Sequence, residues 1–162
     1  MTSEAVEHLL TLYTPSLDEL WFRQEMLADP DTMSYNRAWG GTIAFPEENW
    51  RSWYDFWIAY RGGKRFYRYL TDGTGRFVGE IAYHFNEAQG LYLADIIVHA
   101  PYRGRGYGRA GLRLLCEAAK ERGLTALHDD IAADNPAVSL FLEEGFVEEY
   151  RTADIIMLKK AL

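Results

Sequence analysis

One cysteine, Cys116, in 162 residues excludes an internal disulfide. It also excludes a zinc site resting on thiolates alone, and no metal is expected. Such sparing cysteine use suits a reducing cytoplasm, the expected location. No apolar run approaches the roughly 18 to 20 residues that cross a bilayer, and Glu4 and Glu7 stand where a secretory leader would carry basic residues. Neither membrane insertion nor export is expected. Basic residues are in the minority: 17 Lys and Arg face 24 Asp and Glu, for a net charge of −7. That balance opposes bulk attraction to phosphate backbones and anionic lipid, so nucleic acid is a disfavoured partner. No Gly-Lys-Ser or Gly-Lys-Thr is present, which removes the Walker phosphate loop. Internal repeats, linkers and low-complexity segments are lacking too.

What remains is ordinary globular material, 48% hydrophobic and 25% charged, long enough for one domain over 1–162. A short apolar run, His8 to Tyr13, reads as an opening strand. Ser16 then caps a helix carrying Leu17, Leu20, Trp21 and Met26. Pro46 opens a second helix, on which Trp50, Trp53, Tyr54 and Trp57 make an aromatic face ended by Gly62 and Gly63. The period then changes to two. Phe66 to Leu70, Arg76 to Phe85 and Leu91 to His99 form an antiparallel meander. A helix with the stripe Leu112, Leu115, Cys116 and Ala119 follows, stopped at Gly123. A strand at Ala126 to Ile131, a helix from Pro136 to Glu144, and strands at Phe146 to Tyr150 and Asp154 to Leu158 complete the order. Cys116 reads as core.

The strongest local signal joins a strand to a helix through Val98-His99-Ala100-Pro101-Tyr102-Arg103-Gly104-Arg105-Gly106-Tyr107-Gly108. Glycines at 104, 106 and 108 let backbone N–H groups approach an anion, and the helix adds its unpaired N–H groups and positive dipole end. Arg103 and Arg105 supply charge. A solvated Gly-Arg turn is the plainer alternative. The dinucleotide fingerprint fits poorly, because the preceding strands are antiparallel.

Here the chain resembles the GNAT superfamily of N-acetyltransferases. Arg103-x-x-Gly106-x-Gly108 matches that family's acetyl-CoA loop, and Asp134-Asn135-Pro136 through Gly145-Phe146 looks like its Asn turn, short helix and Gly-Phe ending. The resemblance implies an α+β fold with a mixed, mostly antiparallel sheet of six to seven strands flanked by about four helices. It implies acetyl-CoA as co-substrate, with the backbone of Ile96, Ile97 and Val98 along the pantetheine arm. Arg103, Gly104, Arg105, Gly106, Tyr107 and Gly108 would hold the diphosphate. Asn135 would touch the cofactor arm or close the turn beside it. One position departs from the pattern: Phe141 stands where many members carry a Tyr that protonates the leaving thiolate. A thiol of pKa about 8.5 can leave without that acid, and Tyr102, Tyr107 and Tyr150 are substitutes.

Acetylating an amine of pKa about 10.4 requires a proton acceptor. Glu80, between Val78 and Ala82, is the first choice; a solvated sheet face is its alternative. Asp95 interrupts an apolar strand, so it is either buried with a partner or facing a wet cleft. Backbone N–H groups near Ile97 would stabilise the developing oxyanion in a direct transfer within a ternary complex. By resemblance the aromatic segment with Trp50, Trp53 and Trp57 is the acceptor wall; core packing is the other reading of the rings. Asp129 and Asp130 end a strand just before the Asn135 turn, at a rim suited to a cationic substrate, and His84 shares a sheet face with Glu80, a surface or hydrogen-bonded histidine being its alternative. The acceptor is expected to be a small-molecule or peptide amine. The rival readings are a catalytically silent acyl-CoA-binding domain and an enzyme acting on a ribosomal protein or charged tRNA. The oligomeric state is open, a homodimer included.

Overall fold

The computed structural model describes residues 9–162. Among them seven strands form one sheet in the order β1-β2-β3-β4-β5-β7-β6, with four α-helices around it. The strands are β1 (Thr11–Tyr13), β2 (Arg65–Thr71), β3 (Phe77–Asn86), β4 (Leu91–Val98), β5 (Ala126–Ala132), β6 (Val147–Arg151) and β7 (Ile155–Ala161). The helices are α1 (Trp21–Ala28), α2 (Trp50–Trp57), α3 (Tyr107–Glu121) and α4 (Ala137–Glu143). This is the α+β architecture expected, with β4 to β5 the one parallel junction. Residue 8 of the expected opening strand lies outside the described residues. None of the described helices is long and apolar enough to cross a membrane.

Alternation along the strands divides the interior into two cores. Leu70, Ile81 and Ala94 face the stripe of α3, where Leu112, Leu115 and Cys116 are buried. Tyr67, Tyr69, Ala82 and Ile97 face the other way, beneath α1 and α2. Because β3 pairs with β4 as Glu80↔Ile97, Ala82↔Asp95 and His84↔Leu93, those six side chains share the α1/α2 face. Gly79 makes the tight approach at the end of this pairing: a Cβ there would lie 2.4 Å from the backbone oxygen of Ile97.

Two helix expectations need correction. The segment after Ser16 starts as a 3₁₀ turn, Leu17–Leu20, in which Glu19 accepts the Ser16 backbone N–H at 2.9 Å, and becomes α-helical only at Trp21. Phe22, not Trp21, turns inward; Trp21 is 49% exposed. Pro46 is extended and precedes a 3₁₀ turn, Glu47–Asn49, so it flanks the helix and does not open it.

Candidate functional site

Strand β4 pairs with β3 along its full length but meets β5 only at Leu93↔His128. Past that point the two strands part, leaving the backbone edge of Ile96 to Val98 open. The gap belongs to a cleft of about 1090 Å³ floored by Ile96, Ile97 and Val98. At one end of it stands the start of α3. Gly104 and Gly106 adopt left-handed φ values of 77° and 84°, and Gly106 is the N-terminal cap residue of the helix. No side chain caps this terminus and no acidic residue occupies the first turn, so its orphan N–H groups are available to an anion. Gly104, Gly106, Tyr107 and Gly108 all line the cleft. This geometry fits the diphosphate of a coenzyme A thioester.

Of the loop arginines, Arg103 lines the cleft beside the glycines. Arg103 donates from Nη1 to the Asp31 carbonyl at 3.0 Å and from Nη2 to the Thr32 carbonyl at 2.7 Å. Arg105 lies outside the cleft lining, with its guanidinium 5.8 Å from the Tyr102 ring centre. Arg109 is paired with Glu143 and with Glu144. Asn135 closes its turn: its side-chain oxygen accepts the Ala137 N–H at 2.9 Å. Phe141 packs edge-on against Phe146 at the base of the cleft and is buried, so no acid is present at that point. Tyr102 and Tyr107 line the cleft, whereas Tyr150 is exposed on β6, away from it.

On the acceptor side, Glu80 is neither solvated nor free. It is 4% exposed, and Arg23 Nη1 lies 2.8 Å from its Oε1 and 2.6 Å from its Oε2. The Tyr67 hydroxyl donates to the same carboxylate. The Arg23 guanidinium in turn lies over Trp53, 4.5 Å from its ring centre. Glu80 lines the cleft with Arg23 and Tyr67, and the three side chains brace its wall. Arg23 escaped the sequence reading, yet it carried a signal: Leu20, Arg23 and Leu27 are spaced i, i+3, i+7, placing one cation on a buried stripe.

Asp95 faces the cleft, its side chain 57% exposed and 3.7 Å from His84 Nδ1. Asp129 and Asp130 line the opposite lip. Burial, then the charges of Asp95 and Asp130, push the Asp129 carboxyl well above its ordinary pKa, although the residue as a whole is only half-buried. Burial also raises Asp130, with Asp95 adding to it. Trp53 and Trp57 line the cleft; Trp50 does not, its ring packing on Phe45 and its Nε1 donating to the Phe45 carbonyl at 3.1 Å. His84 also stands outside the lining, edge-on to Trp57. Tyr35, on the 3₁₀ turn Ser34–Trp39, is a wall residue the sequence did not single out. Burial, then Glu80 and Asp95, raise its phenol above the usual range, so it stays a hydrogen-bond donor.

Relatives share this arrangement of elements. A spermidine N-acetyltransferase from Vibrio cholerae, in complex with CoA and spermine, has a TM-score of 0.78 at 21% identity over 95% of this chain and 96% of its own. A GNAT-family acetyltransferase from Bacillus anthracis has a TM-score of 0.73 at 18% identity, covering 94% of this chain and 95% of that one. Both likenesses concern the fold. An uncharacterized N-acetyltransferase from Bacillus subtilis is 34% identical over 73 residues, 44% of each chain, so the match spans less than half of that relative. The Acetyltransferase (GNAT) family model matches residues 12–146, most of the sequence, and the chain belongs to that family.

Proposed function

We propose that the protein is an acetyl-CoA-dependent N-acetyltransferase whose acceptor is a primary amine of a small molecule or peptide. One observation carries the reading: the uncapped start of α3, the open edge of β4 and the carboxylates of Asp95, Asp129 and Asp130 all line a single cleft. Acetyl-CoA, when bound, supplies an acyl group activated as a thioester. The first-turn N–H groups of α3 hold the diphosphate, and the backbone of Ile96 to Val98 offers unpaired N–H and C=O groups to the extended arm. Asp95 and Asp130 attract the ammonium form of the acceptor, and the rings of Trp53 and Trp57 favour a cation beside them. Asp129 takes the proton, its raised pKa narrowing the gap to an alkylammonium. The cationic spermine named for the Vibrio cholerae protein supports an aliphatic amine as acceptor class.

Glu80 held by Arg23 and a Phe at 141 favour a second reading, a domain that binds acyl-CoA without turning it over. Calorimetry with coenzyme A and a thiol-release assay on a panel of mono- and polyamines separate the two. Binding with amine-dependent release of CoA is expected. Binding without release on any amine gives the silent domain, and absence of CoA binding removes both readings.

A further inference from the structure

Three hydrogen bonds run from the glycine loop to one turn on the acceptor side, around buried Thr32. The Ala100 N–H donates to Thr32 Oγ1 at 2.9 Å, and the Arg103 fork holds the carbonyls of Asp31 and Thr32. Thr32 is fully buried, and its hydroxyl is used twice: it accepts from Ala100 and donates to Asp29 Oδ2 at 2.6 Å. That same Asp29 oxygen lies 3.6 Å from Nε2 of His99, the residue just before the loop. The chain leaves Thr32 directly into buried Met33 and the Ser34–Trp39 turn, whose Tyr35, Asn36, Arg37 and Trp39 form the outer acceptor wall. Diphosphate loop and acceptor wall are therefore fastened at one turn, by the Thr32 hydroxyl and by the Arg103 fork on the carbonyls of Asp31 and Thr32.

We propose that Thr32 is a positioning residue which latches the acceptor wall to the glycine loop, so that coenzyme binding orders the wall that receives the amine. The inference rests on the acetyl-CoA reading above. Physically, an anion at the start of α3 restrains Ala100 to Gly108, and the restraint passes through Ala100 N–H, Thr32 Oγ1 and Arg103 to residues 33–39. Binding energy at one half of the cleft thus becomes order at the other, a coupling that must be reciprocal.

The test compares Thr32→Val, which keeps the shape and deletes the hydroxyl, with Thr32→Ser, which restores it. In the ligand-free protein, Thr32→Val should speed amide exchange in residues 100–108 and in 33–39 together, and Thr32→Ser should return both to the wild-type rate. Coenzyme A added to the wild type should protect both segments; added to Thr32→Val it should protect the loop alone and bind about tenfold more weakly, the effect of one unpaired buried N–H group. Unchanged CoA affinity in Thr32→Val, or equal protection of both segments in it, overturns the latch. If the wild type binds no coenzyme A, the acetyl-CoA reading fails, while the ligand-free exchange still decides the latch: loosening confined to either segment alone overturns it.

Discussion

Nη1 of Arg23 bridges both carboxylate oxygens of Glu80, with side-chain exposures of 17% and 5%. Burial works against the guanidinium charge, and Glu80 with Tyr67 holds it in place. Removing one member of such a pair leaves the other charged and dry. Glu80→Gln is therefore expected to lower unfolding stability by about 3 kcal/mol in denaturant melts. Arg23→Met combined with Glu80→Gln should cost less than the sum of the single changes. The acetylation rate of Glu80→Gln should fall by the same factor at neutral and high pH. A loss concentrated at neutral pH would return Glu80 to the role of base.

Gly79 is confined by the backbone of the neighbouring strand, since a Cβ would meet the Ile97 oxygen at 2.4 Å and the Val98 Cα at 3.2 Å. Backbone cannot step aside as a flexible side chain can. Gly79→Ala should cost about 3 kcal/mol and, by pushing β3 from β4 beside the open edge, weaken CoA binding in calorimetry. Wild-type stability in that variant would show that the strands separate freely.

The order of strands and helices was legible because period and punctuation are local: Gly123 ends α3, and the glycine loop opens it. Partnerships across the fold were not. Nothing in the spacing of Val78, Glu80 and Ala82 reveals that Arg23, 57 residues away, occupies the carboxylate. A motif puts Arg103 in the loop beside the cleft, but it does not record which carbonyls lie within its reach, here those of Asp31 and Thr32. Trp50 and Trp53 are three residues apart on one helix and both pack on Phe45, yet Trp50 is tied to the Phe45 carbonyl and, of the α2 tryptophans, Trp53 and Trp57 line the cleft.

Asp72 closes the β2–β3 turn. Burial opposes its charge, but bonds from Thr74 and from the Arg76 backbone and guanidinium outweigh that and lower its pKa from 3.8 to about 2. A depressed carboxyl contributes stability above its unfolded pKa and loses it as pH falls through the folded value. Asp72→Ala should thus cost about 2 kcal/mol at neutral pH, and the gap to wild type should close below pH 3.8 and vanish near 2. Parallel melting curves across that range check it. A gap that stays constant would mean the turn is held by shape alone.

Asp129 has the opposite sign. Its carboxyl is raised well above 3.8, so between that value and the folded pKa the native state holds a proton that the unfolded chain has released. Stability consequently falls as pH rises through this window. Asp129→Asn removes the titration, so the variant should melt higher than wild type at neutral pH, and this advantage should disappear on acidification towards pH 3.8. Its amine-dependent rate should drop at the same time, by about 100-fold, the usual contribution of a general base. Greater stability with lost activity is what a desolvated proton acceptor requires, because the environment that raises its pKa is the one that penalises its charge. A variant that loses stability at neutral pH, or keeps the wild-type rate, would place the proton on Asp95 or Asp130.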